Sequence, residues 1–398
     1  MRIGIDATCW WNRRGFGRFT RELLKAMIAD TKGHELCLFV DREPAEEMDD
    51  PRIKVVRVAT ARTVTESAVA SSSRSVRDIL AFRRAALAES LDVLFYPAVY
   101  SWFPVGCGLP SVVTLHDAIH EHYPDLVFPN PWRRLLWSLK LHFACRPAGR
   151  ILTVSKAAKA EIVEYIKLDP IRIDVTNGAA DARFKRLNDM SSRAEARHRA
   201  GLPARGRILI YVGGFAPHKN LSRMLDGFGR ALDRDCVADL HLALVGDPAG
   251  DGFLSNYSEL ADQVDGSARL RERVHFTGFV SDEDLIALYS EAMAAVMPAL
   301  SEGFGLPAIE ALACATPVLS SDRGAVPEVI GEAGLLYDPT SPDAIAAAIE
   351  RIGCEHDTRR ALQAKAVQRA RQYTWSLAAE RTFAALEACH GQSQTKLA

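Results

Sequence analysis

Two carboxylates eight positions apart, Glu302 and Glu310, flank a glycine-rich loop in the stretch SEGFGLPAIE. The loop leads into a predicted helix, and the amides of Phe304, Gly305 and Leu306 at its start favour an anion. Each carboxylate can accept hydrogen bonds from two hydroxyl groups. A ligand that carries both a diphosphate and vicinal diols, such as a sugar nucleotide, matches this combination of groups.

The same spacing has a simpler explanation that the residues alone leave open. Glu302 could be an ordinary surface acid, and Glu310 could be an ion-pair partner within the helix. Neither explanation needs a ligand.

A second candidate motif, YVGGFAPHKNL, follows the first strand-like run of the second half of the chain. Gly213 and Gly214 predict a turn between a strand and a helix. Lys219, beside His218, can neutralise a phosphate as a point charge. A solvated lysine on a turn is the alternative.

Two stretches of the first half also place polar residues after predicted strands. In the stretch WWNRRGFGRFTRELL, Gly15 and Gly17 predict a flexible turn before an amphipathic helix, and Arg18 adds to a locally basic corner. An exposed, charged helix start is the alternative. In TLHDAI, His116 can bond a sugar hydroxyl or relay a proton, and a neutral packed histidine is the alternative.

Two further segments carry less specific signals. The backbone around Phe279 follows a strand-like run and could meet a nucleotide base, although the same stretch is explained by a helix cap. Residues 131–146 predict a helix that is apolar around much of its circumference and carries basic residues among its aromatic ones. We expect this helix to pack against a sheet, with contact to a bilayer as the alternative.

The elements that must position these residues are short apolar runs that alternate with helical patterns. Continuous hydrophobicity within each run predicts parallel strands that are buried on both faces, and therefore an α/β fold of two doubly wound domains. Ligands of such sheets bind outside the carboxyl ends of the strands. The runs span residues 2–7, 36–41, 53–58, 92–98, 111–117, 150–155, 172–177, 208–214, 240–247, 273–278, 294–299, 317–322 and 334–338.

Changes in composition divide the chain. We predict an N-terminal acceptor-binding domain at 1–185, a linker at 186–206 and a C-terminal nucleotide-sugar domain at 207–375. A final helix at 376–390 is expected to pack back on the first domain. The Ser- and Thr-rich stretch 60–78 predicts a mobile surface loop, with a disordered insertion as the alternative.

Composition and charge exclude several classes of function. The 398 residues carry a formal net charge of −1, so no basic field indicates a nucleic-acid partner. The eight cysteines are scattered singly, which predicts reduced thiols and a cytoplasmic protein. No signal peptide or membrane span is expected, and any membrane contact would be peripheral, at the inner face.

Taken together, the motifs resemble those of retaining glycosyltransferase family 4, and bacterial mannosyltransferases in particular. Residues 275–348 carry the closest similarity, which extends to GIDATCWWNRRGFGRFTRELL, VVTLHDAIHEHYP, ILTVSKAAKAEI and YVGGFAPHKN. This resemblance implies the GT-B architecture, in which two Rossmann-like domains face each other across a cleft.

The resemblance also implies roles for the acidic motif. The family's pair of glutamates falls on Glu302 and Glu310, so that Glu302 and the backbone of Phe304 and Gly305 would hold the transferred hexose. Leu306 would add an amide near the phosphates, and Glu310 would take the ribose diol.

Other positions match further family motifs. Lys219 corresponds to the phosphate-binding lysine, and His116 to the histidine that contacts the donor sugar. Gly15 and Gly17 correspond to the loop that closes over the diphosphate. Lys219, Glu302 and His116 are the predicted catalytic residues.

One position departs from the family pattern. Many members carry an arginine where this chain has Gly214, so half of the usual positive clamp on the diphosphate is missing. Arg18 or His218 is the candidate substitute.

The implied reaction is the transfer of a hexose from a nucleoside diphosphate sugar to an acceptor hydroxyl, with retention and without a metal or cofactor. GDP-mannose is the favoured donor, and UDP-glucose, UDP-galactose and a UDP-N-acetylhexosamine remain open. A saccharide, a lipid-linked molecule or a small molecule could be the acceptor. The alternatives are a sugar-nucleotide 2-epimerase on the same fold and a non-catalytic nucleotide-sugar-binding subunit.

Overall fold

A computed structural model describes residues 1–60, 75–106, 108–128, 130–248 and 255–397. Most of the loop predicted at 60–78 lies outside the described residues. The chain divides into two compact units, which are described separately. The first comprises Met1–Pro124, Phe128–Gly178 and Thr374–Ala398, and the second comprises Asp125–Val127 and Ala179–Tyr373.

The first unit is built on a parallel sheet of seven strands in the order β3-β2-β1-β4-β5-β6-β7. The order reverses at β1, which is typical of a doubly wound fold. The strands are β1 (Arg2–Asp6), β2 (Glu35–Val40), β3 (Ile53–Arg57), β4 (Val93–Tyr96), β5 (Ser111–Thr114), β6 (Arg150–Thr153) and β7 (Ile173–Val175).

Helices connect these strands. The α-helices described before residue 179 are Gly15–Ala29, Val76–Leu87, Ile119–His122, Pro124–Val127, Pro131–Cys145 and Lys156–Glu161.

The second unit contains a parallel sheet of six strands in the order β10-β9-β8-β11-β12-β13. Here the order reverses at β8. The strands are β8 (Arg207–Val212), β9 (Leu240–Val245), β10 (Val274–Gly278), β11 (Ala294–Met297), β12 (Val318–Ser321) and β13 (Gly334–Tyr337).

The helices of the second unit cover this sheet. They include Leu221–Ala231, which follows β8, and Leu306–Ala313, which follows β11. The others described are Met190–Arg199, Tyr257–Asp265, Ala268–Arg273, Asp282–Glu291, Val326–Ile330, Pro342–Cys354 and His356–Ala370.

The strands form where the apolar runs predict them. β9 shows the reason, because all six of its residues are buried, as expected for a strand covered on both faces. The prediction of an α/β fold with two doubly wound, Rossmann-like domains is therefore confirmed.

The segment at 186–206, predicted as a linker, belongs instead to the second unit. Its helix Met190–Arg199 is held by ion pairs to the helix Asp282–Glu291. Arg197 lies 2.8 Å from Glu291, and Arg199 lies 2.6 Å from Asp284. A polar, basic composition poor in strand formers suggested a linker with a short helix, and such a composition does not reveal packing against partners almost a hundred residues away.

The last helix, Trp375–Leu397, is part of the first unit. The Thr176 hydroxyl at the end of β7 donates to the Ala378 carbonyl at 2.8 Å. Gly149 lies so close to Cys389 that a Cβ atom at Gly149 would stand 2.4 Å from the cysteine sulfur. The helix includes the predicted span 376–390 and continues beyond it.

The expectation of reduced thiols is wrong for two cysteines. Cys236 and Cys354 form a disulfide across 118 residues of sequence. Close packing brings them together, because a Cβ atom at Gly353 would stand 2.3 Å from the Val237 side chain. Cys107 lies outside the described residues, and five buried cysteines are thiols outside any disulfide: Cys9, Cys37, Cys145, Cys314 and Cys389.

The helix Pro131–Cys145 packs on one side only. Trp137, Leu141, Ala144 and Cys145 are buried against the rest of the unit, as predicted, but the opposite side carries exposed apolar residues. Within the described ranges, no helix is both long and apolar enough to cross a membrane.

Candidate active site

The loops that follow β8 and β11 lie against each other in the second unit. These strands are neighbours in the parallel sheet, so their carboxyl ends meet at one edge. The Leu300 amide donates to the His218 carbonyl at 2.9 Å, and the Asn220 side chain donates to the Pro298 carbonyl at 3.0 Å. Backbone contacts therefore fix the two candidate motifs side by side.

The two motifs meet through an ion pair between Lys219 and Glu302. Lys219 Nζ lies 2.6 Å from Glu302 Oε1. Their side chains are 20% and 21% exposed, so the pair is partly withdrawn from water but still open to a ligand. A charge-assisted hydrogen bond of this kind is stronger than a neutral one. The structure thus joins a cation suited to phosphate and a carboxylate suited to hydroxyl groups in one place.

The backbone before the helix Leu306–Ala313 takes a shape that favours glycine. Gly305 is the N-cap residue with a φ of 84°, and a Cβ atom there would stand 2.9 Å from the Val326 side chain. Phe304 is buried, with its ring centroid 5.5 Å from that of Tyr373. The helix begins at Leu306, so the three predicted backbone amides stand at its start.

A loop after β12 supports Glu302 and was missed in the sequence. The Ala325 amide donates to the Glu302 carbonyl at 3.0 Å. Gly324 has a φ of 67°, and a Cβ atom there would stand 2.7 Å from the Glu302 amide nitrogen. A glycine that follows a strand run and directly precedes a helix was the available signal.

Asn220 is a second residue that the sequence analysis missed. It is buried, with a left-handed φ of 58°, at the start of the helix Leu221–Ala231. Besides its bond to Pro298, its side-chain amide donates to the Pro339 carbonyl at 2.8 Å. Asn220 therefore ties three loops of the second unit together. An asparagine directly before an apolar helical run was the signal.

Gly214 stands at an open position of the same edge. It accepts a 2.6 Å hydrogen bond from the Tyr211 hydroxyl through its carbonyl. Burial chiefly, and the negative charge of Glu302 in addition, raise the pKa of Tyr211, which keeps that hydroxyl protonated. A Cβ atom at Gly214 would meet no other atom within 4 Å. Crowding around the Cβ position is therefore not the reason that this chain lacks the family's arginine at position 214.

Glu310 lies deeper than Glu302. It is 3% exposed, within the helix Leu306–Ala313. Burial and then the charge of Glu310 raise the pKa of the Cys314 thiol to about 12. The predicted role of Glu310 as the ribose ligand stays a prediction.

Phe279 lies on the outer part of this edge. It follows Gly278, which has a φ of 73°, at the end of β10, the strand at one side of the sheet. Phe279 is 67% exposed, which is unusual for so large an apolar side chain. Its predicted contact with a base also stays a prediction.

In the first unit, His116 follows β5 and is held within the protein. Its Nε2 atom lies 3.0 Å from the Pro97 carbonyl oxygen, and its ring packs edge-on against Phe19 at 4.8 Å. Burial lowers the pKa of His116, and the neighbouring Asp117 charge opposes that shift. The histidine is therefore neutral at pH 7 and bonded to the backbone.

The predicted flexible turn at Gly15 and Gly17 is wrong, because both glycines lie in the first turn of the helix Gly15–Ala29. A Cβ atom at Gly17 would stand 2.1 Å from the Asn12 carbonyl oxygen, so Gly17 is needed for close packing. The Arg18 amide donates to the Arg14 carbonyl as part of the same turn.

The predicted site residues therefore fall into two sets. The structure places one set on loops and helix starts of the second unit and the other in the first unit. The second-unit set is Gly214, His218, Lys219, Phe279, Glu302, Phe304, Gly305, Leu306 and Glu310, and the first-unit set is Gly15, Gly17, Arg18 and His116.

Two family models match the chain. The model of glycosyl transferases group 1 covers residues 192–371, which include the Lys219–Glu302 pair. The model of glycosyltransferase family 4 covers residues 13–183. Together they account for most of both units.

Two similar proteins align with this chain over different lengths. The O-antigen chain mannosyltransferase B of Escherichia coli is 28% identical over 389 residues, which are 91% of this chain and 92% of that protein. The D-inositol 3-phosphate glycosyltransferase of Rhodococcus jostii is 30% identical over 278 residues, which are 69% of this chain and 60% of that protein.

Solved structures share this fold, and two of them are described as glycosyltransferases. Anabaena HepE, crystallised in complex with UDP and glucose, superposes with a TM-score of 0.73 at 17% identity, over 97% of this chain and 99% of that one. At this identity the likeness concerns the fold. The family models and the fold together show that the chain belongs to the GT4-like glycosyltransferases, with the two Rossmann-like domains of the GT-B fold.

Proposed function

We propose that this glycosyltransferase moves a hexose from a nucleoside diphosphate sugar to an acceptor hydroxyl with retention of the α configuration. The observation that carries the proposal is the 2.6 Å ion pair between Lys219 and Glu302 at the carboxyl edge of the second sheet. A diphosphate can draw the ammonium group away from Glu302, and the freed carboxylate can then accept hydrogen bonds from the hexose.

Stabilisation of the leaving group is the central chemical demand. Negative charge develops on the diphosphate as the bond to the sugar breaks. Lys219 and the amides of Gly305 and Leu306 would receive that charge as groups already in position. The acceptor hydroxyl would attack from the face that the diphosphate leaves, and a phosphate oxygen would take its proton. On this mechanism no metal ion is required, so a chelator should leave turnover unchanged.

Roles follow for the other predicted residues. Glu310 would bind the ribose diol, and Phe279 would contact the base. His116, being neutral, would act towards the transferred sugar as a hydrogen-bonding group and not as a cation.

GDP-mannose is the proposed donor. The support is the relative named O-antigen chain mannosyltransferase B, which aligns with almost the whole chain. The same relative favours a growing saccharide as the acceptor.

A panel of donors tests this assignment. Thermal unfolding is followed with GDP-mannose, UDP-glucose, UDP-galactose, a UDP-N-acetylhexosamine, an ADP-sugar and a dTDP-sugar. A ligand at a hundred times its dissociation constant stabilises the folded state by about 2.7 kcal/mol, so the true donor should raise the melting temperature clearly. Stabilisation by UDP-sugars alone would overturn the choice of GDP-mannose.

Product analysis then separates the reaction classes. Release of free nucleotide together with an α-linked product supports the retaining transfer. An isomerised sugar nucleotide would support a 2-epimerase, and binding without turnover by the purified chain would support a non-catalytic subunit.

Substitution of Lys219 tests the site itself. Lys219→Ala should lower turnover at least about a hundredfold, because it removes a charge that stabilises the leaving group. Arg230→Ala is the matched control, since it also removes the cation of an ion pair, that with Asp343, but at the far end of the helix after Lys219. A loss below twofold in Lys219→Ala, with normal unfolding, would contradict the proposal.

A further inference from the structure

The helix Pro131–Cys145 exposes large apolar side chains along one side. Trp132 is 75% exposed, Leu136 is 63% exposed and Phe143 is 59% exposed. Leu135 and Leu139, between them, are 47% and 45% exposed. Single exposed apolar residues are ordinary, but five on one helix form a continuous patch, and such patches mark interaction sites.

Their spacing places these residues on a single face. Positions 132, 135, 136, 139 and 143 follow the 3.6-residue period of an α-helix. The opposite face is the one that packs on the first unit, through Trp137, Leu141 and Ala144. The helix thus has two apolar faces, and its own unit covers only one.

Two contacts hold the packed face in place. Trp137 Nε1 donates to the Glu121 carboxylate at 2.7 Å, and Lys140 Nζ donates to the Tyr100 carbonyl at 2.6 Å. The exposed face therefore has a fixed orientation before anything binds to it.

Basic residues predominate along the helix and its flanks, and the one exposed acid described beside the neighbouring turn at 170–172 is Asp169. Residues 126–160 contain seven lysines or arginines and no aspartate or glutamate. His142 and Arg146 are exposed beside this face, whereas Arg134, also exposed, lies on the side of the helix that carries Trp137 and Leu141. A neutral apolar partner would not need this excess of positive charge, whereas an anionic surface is complementary to it.

The apolar surface continues past the end of the helix. Arg172 donates to the Cys145 carbonyl at 3.0 Å and thereby holds the turn Pro170–Arg172 against the helix terminus. Ile171, in this turn, is 76% exposed.

We propose that this face, formed by Trp132, Leu135, Leu136, Leu139 and Phe143, docks on an anionic lipid bilayer. The apolar side chains enter the boundary between headgroups and acyl chains, with an aromatic residue near each end of the face. Exposed Arg146 contacts lipid phosphates beside it. The helix lies on the membrane and does not cross it, and the proposal does not depend on the donor assignment.

Vesicle sedimentation of the full chain tests the proposal. Vesicles of phosphatidylcholine are compared with vesicles in which about one third of the lipid is phosphatidylglycerol. We expect binding to the anionic vesicles that is at least about tenfold tighter than to the neutral ones and that weakens as salt is added.

Two variants separate the apolar and the electrostatic contributions. Leu136→Asp should weaken binding at least about tenfold, because it places a charge in the inserted face. Arg146→Glu should lower binding to anionic vesicles by at least about fivefold, at roughly 1 kcal/mol for a basic residue lost. Both changes affect exposed positions, and thermal unfolding verifies that the variants fold.

Met190→Asp is the matched control, since Met190 is 66% exposed in the second unit and the charge change is identical. It should bind vesicles like the original chain. Equal binding by Leu136→Asp and Met190→Asp would overturn the proposal. So would absence of vesicle binding together with self-association that Leu136→Asp abolishes, because the face would then join two copies of the chain.

Discussion

The tripeptide Gly-Phe-Gly occurs three times, and one copy, at 227–229, lies inside the helix Leu221–Ala231. The other two stand at helix starts, the first copy in the first unit and the second copy in the second unit, and they have different structural roles. At 15–17 the tripeptide is the first turn of the helix itself, and its last glycine packs against the Asn12 backbone. At 303–305 it precedes the helix, and its last glycine is the N-cap residue with positive φ. The phenylalanines also differ, since Phe16 packs 4.8 Å from Tyr100 and Phe304 packs 5.5 Å from Tyr373.

The difference shows that the same glycine motif can be required for different structural reasons, and that the motif alone does not indicate a ligand site. Gly17 is required because no side chain fits beside it, whereas Gly305 is required because of its backbone angle. Only the second copy stands next to groups suited to a charged ligand, the Lys219–Glu302 pair. The comparison therefore separates a structural requirement from a proposed binding role.

The largest expected effect comes from Gly17→Ala. The new Cβ atom would stand 2.1 Å from the Asn12 carbonyl oxygen, so backbone must move. We expect a loss of at least about 2 kcal/mol in the free energy of unfolding, measured with urea. Gly15→Ala is the control, because nothing lies within 4 Å of its Cβ position. It should gain up to about 1 kcal/mol from helix propensity. Equal effects of the two substitutions would refute the packing explanation.

Gly305→Ala should have the next largest effect and should act on both stability and catalysis. A non-glycine residue at a φ of 84° costs about 1–2 kcal/mol, and the shift displaces the amides at the helix start. Turnover should fall even under conditions in which the variant is fully folded, so that the lost stability does not account for the loss. Steady-state kinetics on the folded variant measures this effect. Gly214→Ala, at an open position without positive φ, should leave both quantities unchanged. Normal turnover in Gly305→Ala would remove the binding role from the second copy.

A pH-dependent effect is expected near the first copy. Tyr100, which packs on Phe16, also packs on Trp137, whose indole donates to Glu121. Burial raises the pKa of Glu121 to about 7, against an ordinary value of 4.5. The unfolded chain therefore loses its proton first, and stability falls as the pH rises from about 4.5 to about 7.

Glu121→Gln removes that titration while its amide oxygen can still accept from the indole. The variant should be more stable than the original chain by about 1–2 kcal/mol at pH 8 and by much less at pH 5. Urea unfolding at the two pH values measures the difference. The same gain at both values would show that ionisation of Glu121 is not the cause.

The smallest effect on the fold is expected for Gly214→Arg, beside the second copy. The position is open, so the free energy of unfolding should change by no more than about 0.5 kcal/mol. A second cation near Lys219 should tighten donor binding severalfold, which calorimetry with the donor measures. Gly214→Gln gives a side chain of similar reach without the charge, and equal affinities in the two variants would rule out the electrostatic gain.

The strands and the acidic motif could be predicted because their signals are local. Buried parallel strands are continuous apolar runs, and β9 illustrates this in every residue. The family resemblance then identified Lys219 and Glu302, which the structure brings together.

What could not be predicted depends on contacts that form only in the folded chain. Gly17 was predicted to lie in a flexible turn, because a residue pattern does not show that the Asn12 carbonyl packs against it. The disulfide between Cys236 and Cys354 spans 118 residues, and isolated cysteines carry no pairing signal. The supporting roles of Asn220 and Gly324 likewise come from loops that meet only in the folded unit.

The return of the final helix to the first unit has a consequence for how the chain is made. Residues 179–373 leave the ribosome as one uninterrupted segment and can complete their sheet early. The first unit begins earlier but must wait for Trp375–Leu397, because Thr176 and Gly149 have their packing partners there. The unit whose synthesis begins first is thus the last to complete its fold. A truncation within Trp375–Leu397 should therefore destabilise the first unit more than the second, although the second unit is closer to the truncation in the sequence.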